Sequence, residues 1–166
     1  MRTAMILRAL VFGLIFAGAI PALADAPFDP SDKERAAVDA CLKRSASEAE
    51  LKQMSDCIGV VADKCIDAPD ATTLSLVACH MREQKIWDAH LNDWYGKAKG
   101  RLEGDAAAAL QSAQRDWIAF REAKCDYWQK RYDGGTFASV VAGDCMRVEI
   151  GRRAIEMRAV FDDLDH

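Results

Sequence analysis

Six cysteines, Cys41, Cys57, Cys65, Cys79, Cys125 and Cys145, all lie downstream of a segment that reads as an export signal, and this pairing constrains the fold most. Arg2 and Arg8 give that segment a basic start, and Leu10 to Ile20 is an apolar run too short to span a bilayer comfortably. Ala22-Leu23-Ala24 then fits a small-x-small cleavage site. The reading is a signal peptide over residues 1–24, followed by one helical domain over 25–166 in the periplasm or outside the cell. No Cys follows the cleavage site, so no lipid anchor is expected on the mature chain. An even number of cysteines in an exported chain implies three disulfides, and without a C-x-x-C pair neither a zinc ribbon nor a thioredoxin-type redox site is expected.

Removing 24 of the 166 residues leaves 142, enough for one domain with a real core. It takes away two arginines and no acids, so the formal charge moves from −4 to −6. An acidic surface disfavours nucleic acid and anionic lipid and is compatible with a cationic partner.

The mature chain is rich in Ala, Leu, Glu, Lys, Arg and Gln and follows a helical period. A first helix is expected over Ser31–Arg44, with Asp29 or Ser31 as its cap, and a second over Glu48–Ile66. Pro69 breaks the chain, Thr72 or Thr73 can cap a third helix to Lys99, and "GRLEGD" turns it. A fourth helix over Ala106–Tyr132, the "DGGT" turn and a fifth over Phe137–Asp163 complete an all-α, antiparallel bundle stapled by disulfides. Cys125 lies nine residues before Gly134 and Cys145 ten after Gly135, so they meet at nearly one height on facing helices. Cys65 and Cys79 straddle the Pro69 turn less symmetrically, which asks for an irregular start to the third helix, and Cys41–Cys57 remains. Spacing also tolerates Cys57–Cys79.

Two helical stripes carry polar residues where packing wants carbon. On the fourth helix Leu110, Trp117, Ile118, Cys125, Trp128 and Tyr132 share a face with Gln114 and Arg121. On the third, Leu76, Val77, Trp87, Leu91, Trp94, Tyr95, Ala98 and Leu102 share theirs with His80, Gln84 and Asp88, with Glu83 just outside. Asp88 and Arg121 are therefore expected to pair between the two helices, in a network that sets register more readily than it does chemistry. Arg153 sits similarly among Met146, Ile150, Met157 and Val160. No nucleophile elbow, phosphate loop or H-E-x-x-H occurs, and His80 with Glu83 lacks a third metal ligand, since His90 is on another face. No catalytic residue, metal or cofactor is expected.

Glu83-x₃-Trp87-Asp88-x₂-Leu91-Asn92-x₂-Tyr95, then Ala113-Gln114-Arg115-x-Trp117-Ile118-x-Phe120-Arg121-x₃-Cys125, then Tyr132-x-Gly134-Gly135, Cys145 and Arg153-Ala154 resemble the lysozyme inhibitor LprI-like, N-terminal domain family. The likeness runs from about Cys65 to Met157. It implies a small exported helical domain with Cys65–Cys79 and Cys125–Cys145 paired, leaving Cys41–Cys57. It also implies that Glu83, Asp88, Asn92, Gln114, Trp117 and Arg121 are motif positions, and that the partner is a cationic c-type lysozyme or related cell-wall glycosidase. The expected function is a non-enzymatic binding or inhibitor protein; the alternative is an envelope scaffold without an enzyme target. Asp67–Asp70, Asp133–Thr136 and Asp162-Asp163 are the candidate contacts.

Overall fold

The computed structural model describes residues 27–46 and 54–164, so the signal segment lies outside the described residues. Five helices are found among them: α1 Asp32–Ala46, α2 Ala62–Ile66, α3 Thr73–Arg101, α4 Gly104–Arg131 and α5 Thr136–Asp163. None of them is long and apolar enough to cross a membrane.

Local chemistry fixes the helix ends. Ser31 rather than Asp29 caps α1: its Oγ accepts the Glu34 N–H at 3.3 Å while the Glu34 carboxylate accepts the Ser31 N–H at 2.7 Å. Thr72 and Ser75 close the same kind of box on α3. α4 ends in a double closure in which the Gly134 N–H reaches the Gln129 carbonyl and the Asp133 N–H reaches Lys130. Asp133 occupies the left-handed position there, at φ 52°.

The expected second helix over Glu48–Ile66 is corrected. Residues 47–53 lie outside the described residues, Met54 and Ser55 are helical as expected, and the helix is interrupted over 56–61 before it resumes at Ala62. Gly59 turns the chain at φ +112°, where a side chain would be strained, and a methyl there would also meet the Asp63 carboxylate at 2.2 Å. The N–H groups of Gly59, Val61 and Ala62 are drawn instead to a side chain of α3.

α3 and α5 form the centre and run parallel: His80 lies beside Gly143, Trp87 beside Gly151, and the Arg101 guanidinium over the Phe161 ring at 5.0 Å. Consecutive long helices are antiparallel, so α4 runs back along α5, with Lys124 meeting Glu149 and Gln114 meeting Arg153. Gly151 permits the close centre, since a methyl there would approach Ile58 to 2.9 Å and Trp87 to 3.4 Å. Trp87, Leu91, Ile150, Ala154 and Met157 fill the core, with Val38 from α1 and Cys57 and Val61 from the 54–61 loop.

Three disulfides staple this arrangement: Cys41–Cys57, Cys65–Cys79 and Cys125–Cys145, with Cα separations of 5.7, 5.8 and 5.5 Å. α3 starts regularly after its Thr72 cap, so the shortness of α2, not an irregular α3, brings Cys65 to Cys79.

Candidate functional site

Glu83 projects from the middle of α3 into the core and is fully buried. Its Oε1 accepts the Gly59 N–H at 2.6 Å, the Trp87 indole N–H at 3.0 Å and Arg147 Nη1 at 3.3 Å. Its Oε2 accepts the Val61 and Ala62 N–H groups at 3.0 and 2.7 Å. One carboxylate thus ties the 59–62 loop and the start of α2 to α3 and α5. Arg147, also buried, is shared with Asp144 at 2.6 Å and lies 3.7 Å from Asp63. Every oxygen lone pair that Glu83 can offer inward is engaged, so this centre holds structure and leaves no acceptor for a ligand.

The expected Asp88–Arg121 pair is a correction. Asp88 is exposed and accepts only the Asn92 amide, at 3.1 Å on the solvent side of α3. Arg121 instead lays its guanidinium 5.0 Å from the Trp117 ring, with Glu122 at 3.6 Å as its carboxylate neighbour. Arg153 lies 5.7 Å from the same ring and donates from Nε to Gln114 at 2.9 Å and from Nη1 to Glu156 at 2.9 Å. The guanidiniums in the stripes are there for an indole and an amide. Trp87 is core, while Tyr95 and Trp117 pack half-buried against it. Ile118 and Tyr132, expected on the packed face, are exposed because α4 packs on α5 and hardly on α3, which narrows its buried stripe.

The centre thus joins Glu83 to Arg147, a residue the sequence reading passed over. The clue available was Arg147 itself, a charge three residues after Asp144 and amid Val148 and Ile150. His80 is buried nearby with Nδ1 unpaired and 3.6 Å from Asp144; burial pushes its pKa down, outweighing the pull of that carboxylate. Burial likewise lowers His90, which stacks on Trp94 and contacts Asp39 at 3.1 Å. Among the described residues no three His, Cys, Asp or Glu side chains converge as metal ligands.

Part of the exposed apolar surface lies at one end of the bundle. Because α3 and α5 run parallel, the 67–72 loop and the 132–135 turn share that end. It carries Leu74, Tyr132 and Phe137, which are 63%, 40% and 56% exposed. Tyr132 and Phe137 meet edge to face at 5.4 Å. Asp67, Asp70 and Asp133 stand exposed at the same end. Asp162-Asp163 sits at the opposite end.

No curated protein and no solved structure matches the chain. A family model described as Lysozyme inhibitor LprI matches residues 65–157, more than half of the chain, from the first cysteine of the Cys65–Cys79 pair through most of α5. That stretch holds Glu83, Arg147, Trp117 and two of the three disulfides, and on it the chain belongs to the lysozyme inhibitor LprI family.

Proposed function

We propose that this protein is an exported, non-enzymatic binding protein that inhibits a cationic lysozyme-type glycosidase through the acidic, aromatic end of its bundle. The family match carries the inhibitor reading. Three disulfides and the signal-like start support a periplasmic or secreted location. Lysozyme-type cleavage runs on two carboxylates in a cleft, so an inhibitor has to plug or cover it. An exposed tip with Tyr132 and Phe137 as paired apolar anchors suits a cleft, and Asp67, Asp70 and Asp133 at the same end suit a basic rim. The mature charge of −6 speeds encounter with a basic enzyme and makes binding weaken with salt.

The test is lysis of cell-wall substrate by a c-type lysozyme in the presence of oxidised mature protein, beside an unrelated acidic protein of equal charge. Inhibition is expected for the protein alone, weaker at high salt, and reduced at least tenfold by Tyr132→Ala with Phe137→Ala. No inhibition at micromolar protein, or equal inhibition by the control, overturns the reading and leaves an envelope scaffold. Inhibition untouched by the double change overturns the choice of tip.

A further inference from the structure

We propose that the outer face of α4 pairs with the same face of a second copy of this chain, in an antiparallel, two-fold arrangement centred on Phe120. Of the 28 residues of α4 only Cys125 is buried, so one long side of the helix is covered by nothing among the described residues. Phe120 and Tyr127, two turns apart on that side, are 56% and 55% exposed. Ala113, Asp116 and Lys124 complete the stripe, all within about 40° of Phe120 around the helix axis.

The stripe is complementary to itself. A two-fold axis at Phe120 sets each position against the one equally far on the other side. Asp116 then faces Lys124 of the second copy, twice over, and Ala113 faces Tyr127, a small residue against a large one. Asp116 has no side-chain partner among the described residues. Lys124 binds Glu149 of α5 at 2.8 Å and lies 5.7 Å from the Phe120 ring, so its ammonium is held at the edge of this face, beside α5. The register is specific: moving the axis one turn either way places Asp116 or Lys124 on it, facing its own copy with like charge. The stripe has one acid and one base, unlike the acidic molecule as a whole, which favours another copy over a cationic partner here.

The experiment is sedimentation equilibrium of the oxidised mature protein from micromolar to near-millimolar concentration. Wild type is expected to dimerise and Phe120→Asp to stay monomeric. Asp116→Lys and Lys124→Asp each put like charges opposite one another and are expected to weaken the dimer at least tenfold, whereas an equimolar mixture of the two restores both unlike pairs and associates like wild type. Asp116→Lys breaks no internal contact, so its result stands even if Lys124→Asp folds poorly. A monomer at every concentration, a dimer indifferent to Asp116→Lys, or a mixture no tighter than its components overturns the proposal. So does a monomer in which Phe120→Asp abolishes lysozyme inhibition, since the face would then belong to the enzyme.

Discussion

Glu83→Gln changes one atom pair in the most densely bonded place in the molecule, and its cost can be worked from the contacts. The amide keeps the volume of the carboxylate but offers one oxygen acceptor where there were two. Oε1 serves three donors and Oε2 two. Whichever way the amide is turned, its nitrogen confronts at least two N–H groups that lie in the core. Each buried donor left without an acceptor costs about 1–3 kcal/mol. Arg147 also loses a buried counter-charge, a change that typically costs about 3–5 kcal/mol when the pair stands alone. Asp144, at 2.6 Å, keeps part of that compensation. The expected loss is therefore about 3–4 kcal/mol, which for a chain of this size lowers Tm by roughly 10 °C. Thermal and urea unfolding of the oxidised protein measure it, and near-ultraviolet circular dichroism reports whether the Trp87 environment loosens. Asp88→Asn, an equally conservative change on the solvent side of the same helix, should stay within about 0.5 kcal/mol of wild type. A Glu83→Gln protein within about 1 kcal/mol of wild type, or an Asp88→Asn protein as damaged, would refute the assignment of Glu83 as the tie between loop and core.

Arg121→Met removes a guanidinium that faces an indole, so it should cost about 1 kcal/mol, and Asp88→Asn should add to it without coupling; a coupling above about 1 kcal/mol in the double-mutant cycle would restore the interhelical pair. His80 has its pKa lowered by burial, so the folded state binds its proton less readily than the unfolded state, whose value is near 6.5. Its stabilising effect is fully present above pH 6.5 and is lost as pH falls from there through the folded value. His80→Phe should therefore flatten the decline of stability below pH 6.5 as followed by urea unfolding, and an unchanged slope would show that His80 is solvated.

Much of the fold was legible because it rests on periodicity and punctuation. Pro69, Thr72 and the Gly134-Gly135 turn bound helices that obey a 3.6-residue period, and the nine-and-ten spacing around that turn suffices to pair Cys125 with Cys145. The second helix breaks over 56–61 for a reason periodicity does not carry. Residues 54–61 have an apolar content compatible with a helix, but Gly59 takes a left-handed turn and the neighbouring amides bond to a carboxylate 21–24 residues away. Gln114 and Arg121 lie half-buried as expected, whereas Asp88, expected inside the packed stripe of α3, is exposed, and the partner of Arg121 was misassigned. A helical wheel gives direction around an axis, but whether a carboxylate on α3 meets an arginine on α4 or on α5 depends on which helix is the neighbour. α5 is the neighbour of α3, so Glu83 finds Arg147, and Arg121 is left to Trp117.

The residues that mark the family divide between interior and surface, with Asp88, Asn92, Phe120 and Tyr132 exposed. Glu83 and Trp87 are fully buried, and Gln114, Trp117 and Arg121 lie in the seam that holds α4 to its neighbours. The buried part of the 65–157 match is a scaffold: three long helices, two staples and a carboxylate that binds the 59–62 amides. Contacts with a target have to come from side chains outside that buried set, at the turns and outer helix faces, where substitution costs the fold little. Changes at Glu83 should reduce stability and inhibition together. Changes at Tyr132 and Phe137 should separate them, leaving the melting curve in place while inhibition falls. The same separation applies to Phe120 and Asp116 for self-association, because neither is needed to keep α4 on α5. The buried bonds of Glu83 and Arg147 thus tie stability to the inward faces of α3 and α5, and the two proposals place recognition at the loop end and on the outer side of α4.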